Sequence, residues 1–541
     1  IGTQGQGSGT PQIQYMYIST PNENPIDVII TPIGGDPITV SISNSNPYEY
    51  FIGNGNQTNF IALSENSGQT FNNKGFIVEG EDLVYVSARL FTSDAYYQAA
   101  GLVSKGLAAL GTTFRVGTFE NLGDDMSNSF LNFVTVLATE DNTTVNFSDF
   151  GNGVTVVNNA PINDVILNSG ESYLIAIKPG DNINNSDGLI GVLVESDKPI
   201  AVNSGSITGS NANTTTDSNG QDAGIDQIVP VERIGTEYIF VRGIGPDQIE
   251  RPLIVAHEPN TEVYVNGTLE YTIAQAGEHW SVPSSFYGVS YDQYGQGPDI
   301  GVSSNMYVET SKPVFAYQVI GGIRPGTEGP FGAGTGIPNQ GLFFVPPINC
   351  QTPSIVNNIA AINKLGPDFA FGGVVTIVTE TGSTVLINGN DISDFAGDVQ
   401  PVNGNPLFET YTVEGLTGNV SIVSSSQVYV ASFGAYDYAT FGGYYSGFAY
   451  QPEIVLEEIT VGSEGCIPNL ELRLNSISIF DQYQWYFNGE MIDGAIGNSF
   501  TPTEPGYYQI SGAVDDCEGI LLSDNIPVSA CPPDTDFDGV N

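Results

Sequence analysis

The sequence is poor in basic residues: 13 Lys and Arg stand against 60 Asp and Glu, which gives a net charge of -47. Without a basic patch to neutralise phosphates, nucleic-acid binding is excluded, and binding to an anionic bilayer is disfavoured. Charged residues are only 13% of the chain, against about 25% in an average domain. The acidity therefore reflects a shortage of bases.

Long apolar runs are also lacking. No run approaches the roughly 20 residues of a membrane helix, so we expect no direct membrane insertion. An initiating Met and a signal peptide are missing, and we expect a segment of a larger precursor. The 541 residues are 40% hydrophobic and 11% aromatic, which argues against disorder and predicts several domains.

Two kinds of phrase recur along the chain. Val136–Val145 aligns without gaps on Ile254–Val263, and Val378–Val385 follows the same pattern. Two copies run into Asn-Gly pairs, at Asn266-Gly267 and Asn388-Gly389, which are strong hairpin signals because both residues tolerate positive φ.

The second phrase, Glu-Ser-Asp-Lys-Pro-Ile in one copy, has equivalent positions at Asp82, Lys198, Lys312 and Gln427, separated by 198−82 = 116, 312−198 = 114 and 427−312 = 115 residues. The surrounding runs alternate like strands. We therefore predict that residues 1–455 form an all-β tandem array of four related β-sandwich-like units of about 115 residues, with a propeller-like arrangement as the alternative.

Two local features refine this prediction. Ala95–Leu110 has helix-like spacing but contains Gly101 and Gly106, so we expect a short helix or a packed loop. Pro199 and Pro313 fit the first position of a strand, where a missing N–H costs least.

Several phrases of this region resemble the IgGFc-binding protein N-terminal domain family: Ala99–Phe114, Ser196–Ala201, Gly224–Val229 and Val345–Cys350. The resemblance covers most of residues 10–455. It implies extracellular binding or adhesion, and it does not imply that this chain binds immunoglobulin.

Residues 456–531 form a separate module. Tyr483–Gly489 reads as a strand with a central Trp and a hairpin turn, and Gly506–Ile510 resembles the tyrosine corner of an immunoglobulin-like sandwich. The usual inter-sheet cysteines are absent, since Leu470 or Leu472 and Ile510 occupy their places.

The four cysteines, at positions 350, 466, 517 and 531, contain no CxxC pair and indicate disulfides of an oxidising compartment. Because Cys466 and Cys517 flank the module, we predict that they pair. Cys350 and Cys531 would then be free or would join the module to the array.

Alternating carboxylates close the chain in residues 532–541. Asp534, Asp536 and Asp538 precede Gly539, an oxygen-rich pattern suited to Ca²⁺. The stretch resembles the start of a thrombospondin type 3-like calcium repeat, and the alternative is a solvated acidic tail.

The order of these parts resembles Bacteroidetes surface proteins exported by the type 9 secretion system, many of them gliding-motility-associated adhesins. That resemblance implies an outer-membrane-associated location, and it implies the type 9 translocon and an outer-membrane shuttle protein as export partners.

Catalytic motifs are scarce. His257 and His279 are the only histidines, and both read as strand residues. There is no HExxH, GxSxG or Walker motif. A glycosidase-type carboxylate pair stays open.

Two loops are candidates for ligand binding. Gly205–Gln221 is long and rich in Asn, Ser and Thr, with a plain surface loop as the alternative. The stretch Phe433–Tyr450 interleaves glycines with aromatics that could stack on a sugar or a partner, and the alternative is a hairpin whose tyrosines pack on the core. Its candidate ligand-binding residues are Tyr436, Tyr438, Tyr444 and Tyr445.

We therefore expect a non-enzymatic adhesin of the bacterial cell surface that binds an extracellular polysaccharide or protein and serves attachment or gliding. The alternative is a secreted carbohydrate-active enzyme or its carbohydrate-binding accessory module.

Overall fold

The computed structural model describes residues 11–531 apart from several short segments. The two ends, residues 1–10 and 532–541, lie outside the description. The segments outside the description are 93–97, 123–129, 212–221, 244, 246, 290–303, 322–339, 350–351, 396–398, 437–438, 449–452, 459–465, 469, 476–479, 481 and 514–520. The chain forms two compact units, the first of residues 1–348 and 354–448, the second of residues 349–353 and 449–541. No helix in the described part is long and apolar enough to cross a membrane.

In its described residues the first unit contains 33 strands in four successive groups, which we call repeats 1 to 4. Repeat 1 has β1 Ile13–Ser19, β2 Ile26–Pro32, β3 Ile38–Ile42, β4 Tyr48–Gly53, β5 Thr70–Phe71, β6 Phe76–Gly80, β7 Tyr85–Phe91 and β8 Ala99–Val103. Repeat 2 has β9 Gly111–Arg115, β10 Leu131–Ala138, β11 Thr143–Ser148, β12 Val165–Leu167, β13 Ser172–Ile177, β14 Leu193–Gly209 and β15 Asp222–Ile228.

Repeat 3 has β16 Gly235–Val241, β17 Leu253–Ala256, β18 Thr261–Val265, β19 Thr268–Ile273, β20 His279–Ser281, β21 Asn305–Gly321 and β22 Gln340–Phe344. Repeat 4 has β23 Ile355–Ile359, β24 Lys364–Leu365, β25 Phe369–Ala370, β26 Gly372–Glu380, β27 Val385–Ile387, β28 Asn390–Asp391, β29 Gln400–Pro401, β30 Phe408–Leu416, β31 Val420–Ser424, β32 Val428–Tyr436 and β33 Ala439–Tyr444.

The helices in this unit are single 3₁₀ turns: Ser64–Asn66, Gly106–Ala109, Val157–Asn159, Pro179–Asp181, Ile183–Asn185, Val231–Arg233, Ser284–Tyr287 and Ile392–Asp394.

Each repeat is built from an inner and an outer sheet, and in repeats 2 and 3 the two sheets share one long strand. In repeat 2 the inner sheet has the order β13-β10-β14-β15 and the outer sheet the order β12-β11-β14-β9, with β14 passing from one to the other. Repeat 3 repeats this order around β21. In repeats 1 and 4 the long strand is divided, into β6 and β7 and into β31 and β32. The core of repeat 2 lies between its sheets, with Val134 and Val145 fully buried. The predicted all-β fold of four related sandwich-like units is therefore confirmed.

The recurring phrases meet each other inside the repeats. The first phrase turns from β10 to β11 or its equivalent at Asn142, Asn260 and Gly382, whose φ angles are 55°, 56° and 85°. The lysine of the second phrase reaches this turn, because Lys198 Nζ donates to the Asp141 carbonyl at 2.5 Å and Lys312 Nζ to the Pro259 carbonyl at 2.6 Å. The sequence recurrence thus reflects one recurring contact.

The last strand of every repeat lies on a common axis. We call β8, β15, β22 and β33 the central strands: β8 lies against β15, β15 against β22, β22 against β33, and β33 against β8. The repeats consequently form a closed ring, which gives the sandwich-like units the propeller-like arrangement of the alternative prediction.

Glycine allows the central strands to approach closely. A Cβ on Gly101 would lie 3.2 Å from the Gly442 nitrogen, and a Cβ on Gly442 would lie 2.5 Å from Phe343. Gly224 is similarly enclosed by Phe119 and Leu342. The axis is therefore packed with side chains from neighbouring repeats.

Arg89 on β7 joins the first repeat to the last. Its guanidinium donates to the carbonyls of Ala360, Ala361 and Lys364 at 2.7–2.9 Å and lies 4.1 Å from the centre of the Tyr17 ring. Ring closure thus uses a buried arginine held by backbone oxygens.

Two local predictions were wrong. In the described part of this stretch, residues 99–103 form the central strand β8, which the prediction of a short helix or packed loop did not include, and a short 3₁₀ helix follows at Gly106–Ala109. The glycine is needed because the central strands approach closely. Pro199 and Pro313 do not open strands but lie inside β14 and β21. In β14, pairing with β11 ends at Ser196 and pairing with β10 begins at Ile200, so the missing N–H falls where the strand changes sheet.

The second unit has β34 Glu453–Glu458, β35 Leu470–Asn475, β36 Gln482–Phe487, β37 Glu490–Met491, β38 Ser499–Phe500, β39 Gly506–Ala513, β40 Leu521–Leu522 and β41 Ile526–Val528. Trp485 is fully buried against Leu472 and Ile510. The Tyr508 hydroxyl donates to the Glu504 carbonyl at 2.8 Å, which is the geometry of a tyrosine corner. The hairpin turn follows at Asn488-Gly489, with φ of 48° and 83°.

The disulfide prediction was wrong. Cys466 pairs with Cys531, at a Cα–Cα distance of 5.0 Å. The physical reason is that the two segments lie side by side: Ile467 bridges Ala530, and the Cys531 N–H donates to the Ile467 carbonyl. Cys517, the partner predicted from the module's ends, lies outside the described residues.

Candidate functional site

A buried charged cluster lies between repeats 2 and 3. Arg251 Nη2 donates to Glu120 Oε2 at 2.6 Å, and His279 Nε2 lies 3.6 Å from Glu120 Oε1. Burial alone would raise the pKa of Glu120, but the neighbouring His279 and the charge of Arg251 lower it to about 2. The carboxylate is therefore charged at every ordinary pH.

The strands around the cluster fix its members. Glu120 follows β9, Arg251 stands two residues before β17, and His279 opens β20. Arg251 Nη2 also donates to the carbonyl of Asn211, the last described residue before the segment 212–221. The ion pair thus holds Asn211 in place, and we call a described strand end that borders an undescribed segment a stem.

A second buried carboxylate, that of Glu250, also holds a strand end in place, and it is adjacent to Arg251 in the sequence. Glu250 is fully buried and accepts the N–H groups of Gly243, Gly245 and Gly321 at 2.8–3.1 Å. Burial raises the pKa of Glu250, while Arg242 and the three N–H groups oppose the rise. Gly321 ends β21 and precedes the segment 322–339, so Glu250 anchors a second stem.

Amide side chains complete the first stem. Asn121 Nδ2 donates to Asn132 Oδ1 at 2.9 Å, and the Ser210 N–H donates to Asn121 Oδ1 at 2.8 Å. The Ser206 hydroxyl donates to the same Asn132 oxygen at 2.6 Å. We call the residues Glu120, Asn121, Asn211, Glu250 and Arg251 the stem network.

Two further carboxylates lie on the ring axis. Asp222 accepts the N–H groups of Ala99, Ala223 and Thr440 at 2.7–2.9 Å and so links the central strands of repeats 1, 2 and 4. Burial raises the pKa of Asp222 well above its ordinary range, against the effect of these N–H groups.

At the other end of β15, Asp226 pairs with Lys105 and accepts the Phe344 N–H at 2.9 Å. Lys105 belongs to the segment after β8 and Phe344 to β22. This second carboxylate therefore links repeats 1, 2 and 3.

The arrangement of the four carboxylates is suited to holding backbone and cationic groups in place. The oxygens of Glu250 and Asp222 accept backbone N–H groups, and those of Glu120 and Asp226 face cationic side chains. Within the described ranges there is no group of three or more His, Cys, Asp or Glu side chains that could hold a metal. The four carboxylates thus serve as internal cross-links.

Two of the four predicted ligand-binding tyrosines are buried. Tyr444, the last residue of β33, and Tyr445 beside it are 3% and 6% exposed, so neither offers a ring face to a ligand. Tyr436 is half-buried against Phe371. Tyr438 lies outside the described residues.

The other site predictions have mixed outcomes. Gly205–Gly209 belongs to β14, so the predicted loop can begin only after it, and residues 212–221 lie outside the description. Asp534, Asp536 and Asp538 lie outside it as well. His279 lies in strand β20, as predicted, and its ring also faces Glu120. His257 follows β17, half-buried near Phe315, and burial lowers its pKa.

Sequence reasoning missed the stem network. Five of the 13 basic residues are buried in the described part: Arg89, Lys105, Arg115, Arg242 and Arg251. Because the chain has so few basic residues, each Lys or Arg close to a predicted strand end was a candidate for a structural ion pair. The scarcity of basic residues was therefore a signal that the sequence already contained.

The ring of four repeats, with buried ion pairs and carboxylates that hold strand ends, defines an all-β repeat scaffold. The chain belongs to the IgGFc binding protein family, whose model matches residues 100–434, more than half of the sequence. This is a family of extracellular binding proteins. Among curated proteins, no sequence matches the chain.

Several solved structures share some likeness with this chain. They include the apo lectin of Pleurotus ostreatus (11% identity, 50% of this chain and 84% of the lectin, TM-score 0.13) and the central fibronectin-III array of RIM-binding protein (12% identity, 56% and 99%, TM-score 0.13). TM-scores this low carry no argument about this fold.

Proposed function

We propose that this chain is a non-enzymatic adhesin of a bacterial cell surface, which binds an extracellular ligand through the end of the ring where the stem network lies. The observation that carries the proposal is the stem network itself, in which Glu120, Glu250 and Arg251 hold strand ends in place. Binding residues are commonly carried on connecting segments held by a rigid scaffold.

A protein is the favoured ligand, because the family is one of binding proteins. An extracellular polysaccharide is the second ligand class. Either ligand meets a surface rich in carboxylates, since much of the small complement of bases is buried. Neutral or basic ligand surfaces are therefore preferred.

Export by the type 9 secretion system and a role in attachment or gliding are part of the proposal. Support comes from the order of an acidic β array, an immunoglobulin-like module and an aspartate-rich end. The translocon and an outer-membrane shuttle protein would be the partners during export, and Ca²⁺ would be held by Asp534, Asp536 and Asp538.

The test is a binding measurement on the full chain. An immunoglobulin Fc fragment, suggested by the family name, and a panel of extracellular-matrix proteins are immobilised, and a glycan array is screened in parallel. Arg251→Met is compared with Arg473→Met, whose side chain is 53% exposed in the other unit.

We expect at least one probe to bind, Arg251→Met to weaken that binding tenfold or more, and Arg473→Met to leave it unchanged. Circular dichroism at the assay temperature shows that both variants are folded. Equal binding by both variants would contradict the proposed location of the site. Release of reducing sugar, lost on substitution of one carboxylate pair, would favour the enzyme alternative.

A further inference from the structure

A small cavity lies at the seam where the ring closes, between the inner sheets of repeats 1 and 4. The β7–β8 pair forms one wall, with Ser87 and Arg89 on the same face of β7. The β32–β33 pair forms the other wall, with Ser432 on β32 and Tyr445 just after β33. The other side chains that line the cavity are apolar. The space suits one ion or molecule about as large as water.

Hydroxyl groups without an acceptor line this cavity. Ser87 and Ser432 are 4% and 3% exposed, and neither hydroxyl has a hydrogen-bond partner among the described residues. The Tyr445 hydroxyl accepts a long hydrogen bond of 3.5 Å from Arg89 Nη2, so its own proton is available to another acceptor. Buried hydroxyls in proteins are normally hydrogen-bonded. The cavity is therefore suited to an acceptor that can take several O–H donors at once.

Arg89 brings a positive charge to the same place without a carboxylate to balance it. Its guanidinium donates to three backbone carbonyls and lies 4.1 Å and 5.0 Å from the centres of the Tyr17 and Phe441 rings. These dipoles and ring faces reduce the cost of burial, but none of them carries a negative charge.

The other buried basic residues differ from Arg89 in this respect. Each of the four faces a carboxylate in an ion pair: Lys105 with Asp226, Arg115 with Asp149, Arg242 with Asp247, and Arg251 with Glu120. Within the part of the chain that the structure describes, Arg89 has no such pair. A buried charge is costly unless it is paired, so the seam needs a counter-charge from outside the chain.

We propose that this cavity is a binding site for a single chloride ion, which neutralises Arg89 and bridges repeats 1 and 4. The small space excludes phosphate, sulfate and carboxylate ligands, and the guanidinium excludes a cation. Water would fit, but it brings no negative charge, whereas an anion forms charge-assisted hydrogen bonds with the guanidinium and the hydroxyls. Ser87 and Ser432 would then donate to the ion from opposite walls.

The ion would contribute to ring closure. Arg89 already reaches repeat 4 through the carbonyls of Ala360 and Ala361, and an ion held between Ser87 and Ser432 adds a second link across the same seam. Because a ligand that binds only the folded state stabilises that state, the ring should become more stable as chloride rises. The proposal is independent of the ligand-binding function proposed above, since these residues lie outside the stem network.

The experiment measures urea unfolding of the full chain by Trp280 fluorescence in a Trp485→Phe background. Chloride is varied against gluconate, an anion too large for the cavity, at constant ionic strength. A site with a dissociation constant of about 50 mM raises the folding equilibrium constant roughly tenfold between about 10 and 500 mM chloride. Ser432→Ala is compared with Ser304→Ala, a matched change of a buried serine that also lacks a partner in the description but lies outside the cavity.

Two further measurements locate the ion. Ser432→Asp places a carboxylate in the cavity, so this variant should stay folded and its stability should no longer depend on chloride. Crystals of the native chain soaked in sodium bromide should show an anomalous bromine peak between Ser87 and Ser432, and crystals of Ser432→Asp should not.

We expect the tenfold rise in the native chain and in Ser304→Ala, and a rise of at most twofold in Ser432→Ala. No chloride dependence in the native chain, or no bromine peak in the cavity, would mean that water occupies it and would overturn the proposal. Equal chloride dependence in the two alanine variants, or full dependence in Ser432→Asp, would mean that chloride acts at another place and would overturn it as well.

Discussion

The buried pair of Lys105 and Asp226 on the ring axis gives the sharpest stability prediction. Both side chains are 1% exposed, and the pair joins repeats 1 and 2. Burial lowers the pKa of Lys105 and raises that of Asp226, so each charge is tolerated only because of the other. Lys105→Met would leave the Asp226 carboxylate buried with the N–H groups of Phe344 and Gln227 as its remaining donors.

Removal of one partner of a buried pair costs about 3–5 kcal/mol, whereas replacement of both by apolar residues is often nearly neutral. Lys105→Met should therefore lower the free energy of unfolding of the ring by about 3–5 kcal/mol, and the double variant Lys105→Met/Asp226→Leu should recover much of that loss. Lys312→Met is the control: its side chain is 33% exposed and lies 3.7 Å from Glu258, so it should cost about 1 kcal/mol or less.

Urea unfolding followed by tryptophan fluorescence can isolate the ring. The chain has two tryptophans, Trp280 in the first unit and Trp485 in the second. In a Trp485→Phe background, Trp280 alone reports on the ring. A Lys105→Met cost no larger than that of Lys312→Met, or a double variant destabilised by the sum of its single changes, would refute the reasoning.

Four further outcomes are expected. The folded-state pKa of Glu120 is depressed from 4.5 to about 2, so its ionised form contributes about 3 kcal/mol to the free energy of unfolding above pH 4.5. This contribution is lost as the pH falls towards 2. The free energy of unfolding, measured as a function of acid pH, should show this loss in the native chain and not in Glu120→Gln. Tyr508→Phe, which loses the corner hydrogen bond, should destabilise the second unit by about 1 kcal/mol in thermal unfolding. Paired Cys466→Ala and Cys531→Ala substitutions open a 65-residue loop and should cost about 4 kcal/mol in the loop-entropy model, measured by urea unfolding. Calorimetry should detect weak Ca²⁺ binding to the chain ending at residue 541, none to a chain ending before Asp534, and tighter binding to a longer chain.

The sequence predicted the repeats well because they depend on local chemistry. Asn142, Asn260 and Gly382 share one turn with positive φ, and Asn and Gly are the residues that adopt it at low cost. The tyrosine corner at Tyr508 was predictable for a similar reason, since its hydrogen bond spans four residues.

Features that join distant parts of the chain were not predictable in the same way. Ring closure brings β8 against β33, more than 300 residues later in the chain, and the glycines that permit it looked like defects in a helix. The disulfide prediction relied on module ends, whereas the pairing depends on how Cys466 and Cys531 lie side by side. Tyr444 at the end of β33 was ambiguous because a central strand and an exposed hairpin have the same alternating pattern.

The positions of the buried basic residues explain why the surface of the chain is so strongly acidic. Arg89, Lys105 and Arg251 each hold one repeat against another through carbonyl or carboxylate oxygens, so cations that could neutralise the surface are used within the ring. The surface then keeps a large negative charge, which opposes self-association and attracts basic partners over distances set by the Debye length. A basic ligand of the proposed adhesin should therefore associate faster at low ionic strength, while its dissociation rate, set by short-range contacts, should change little.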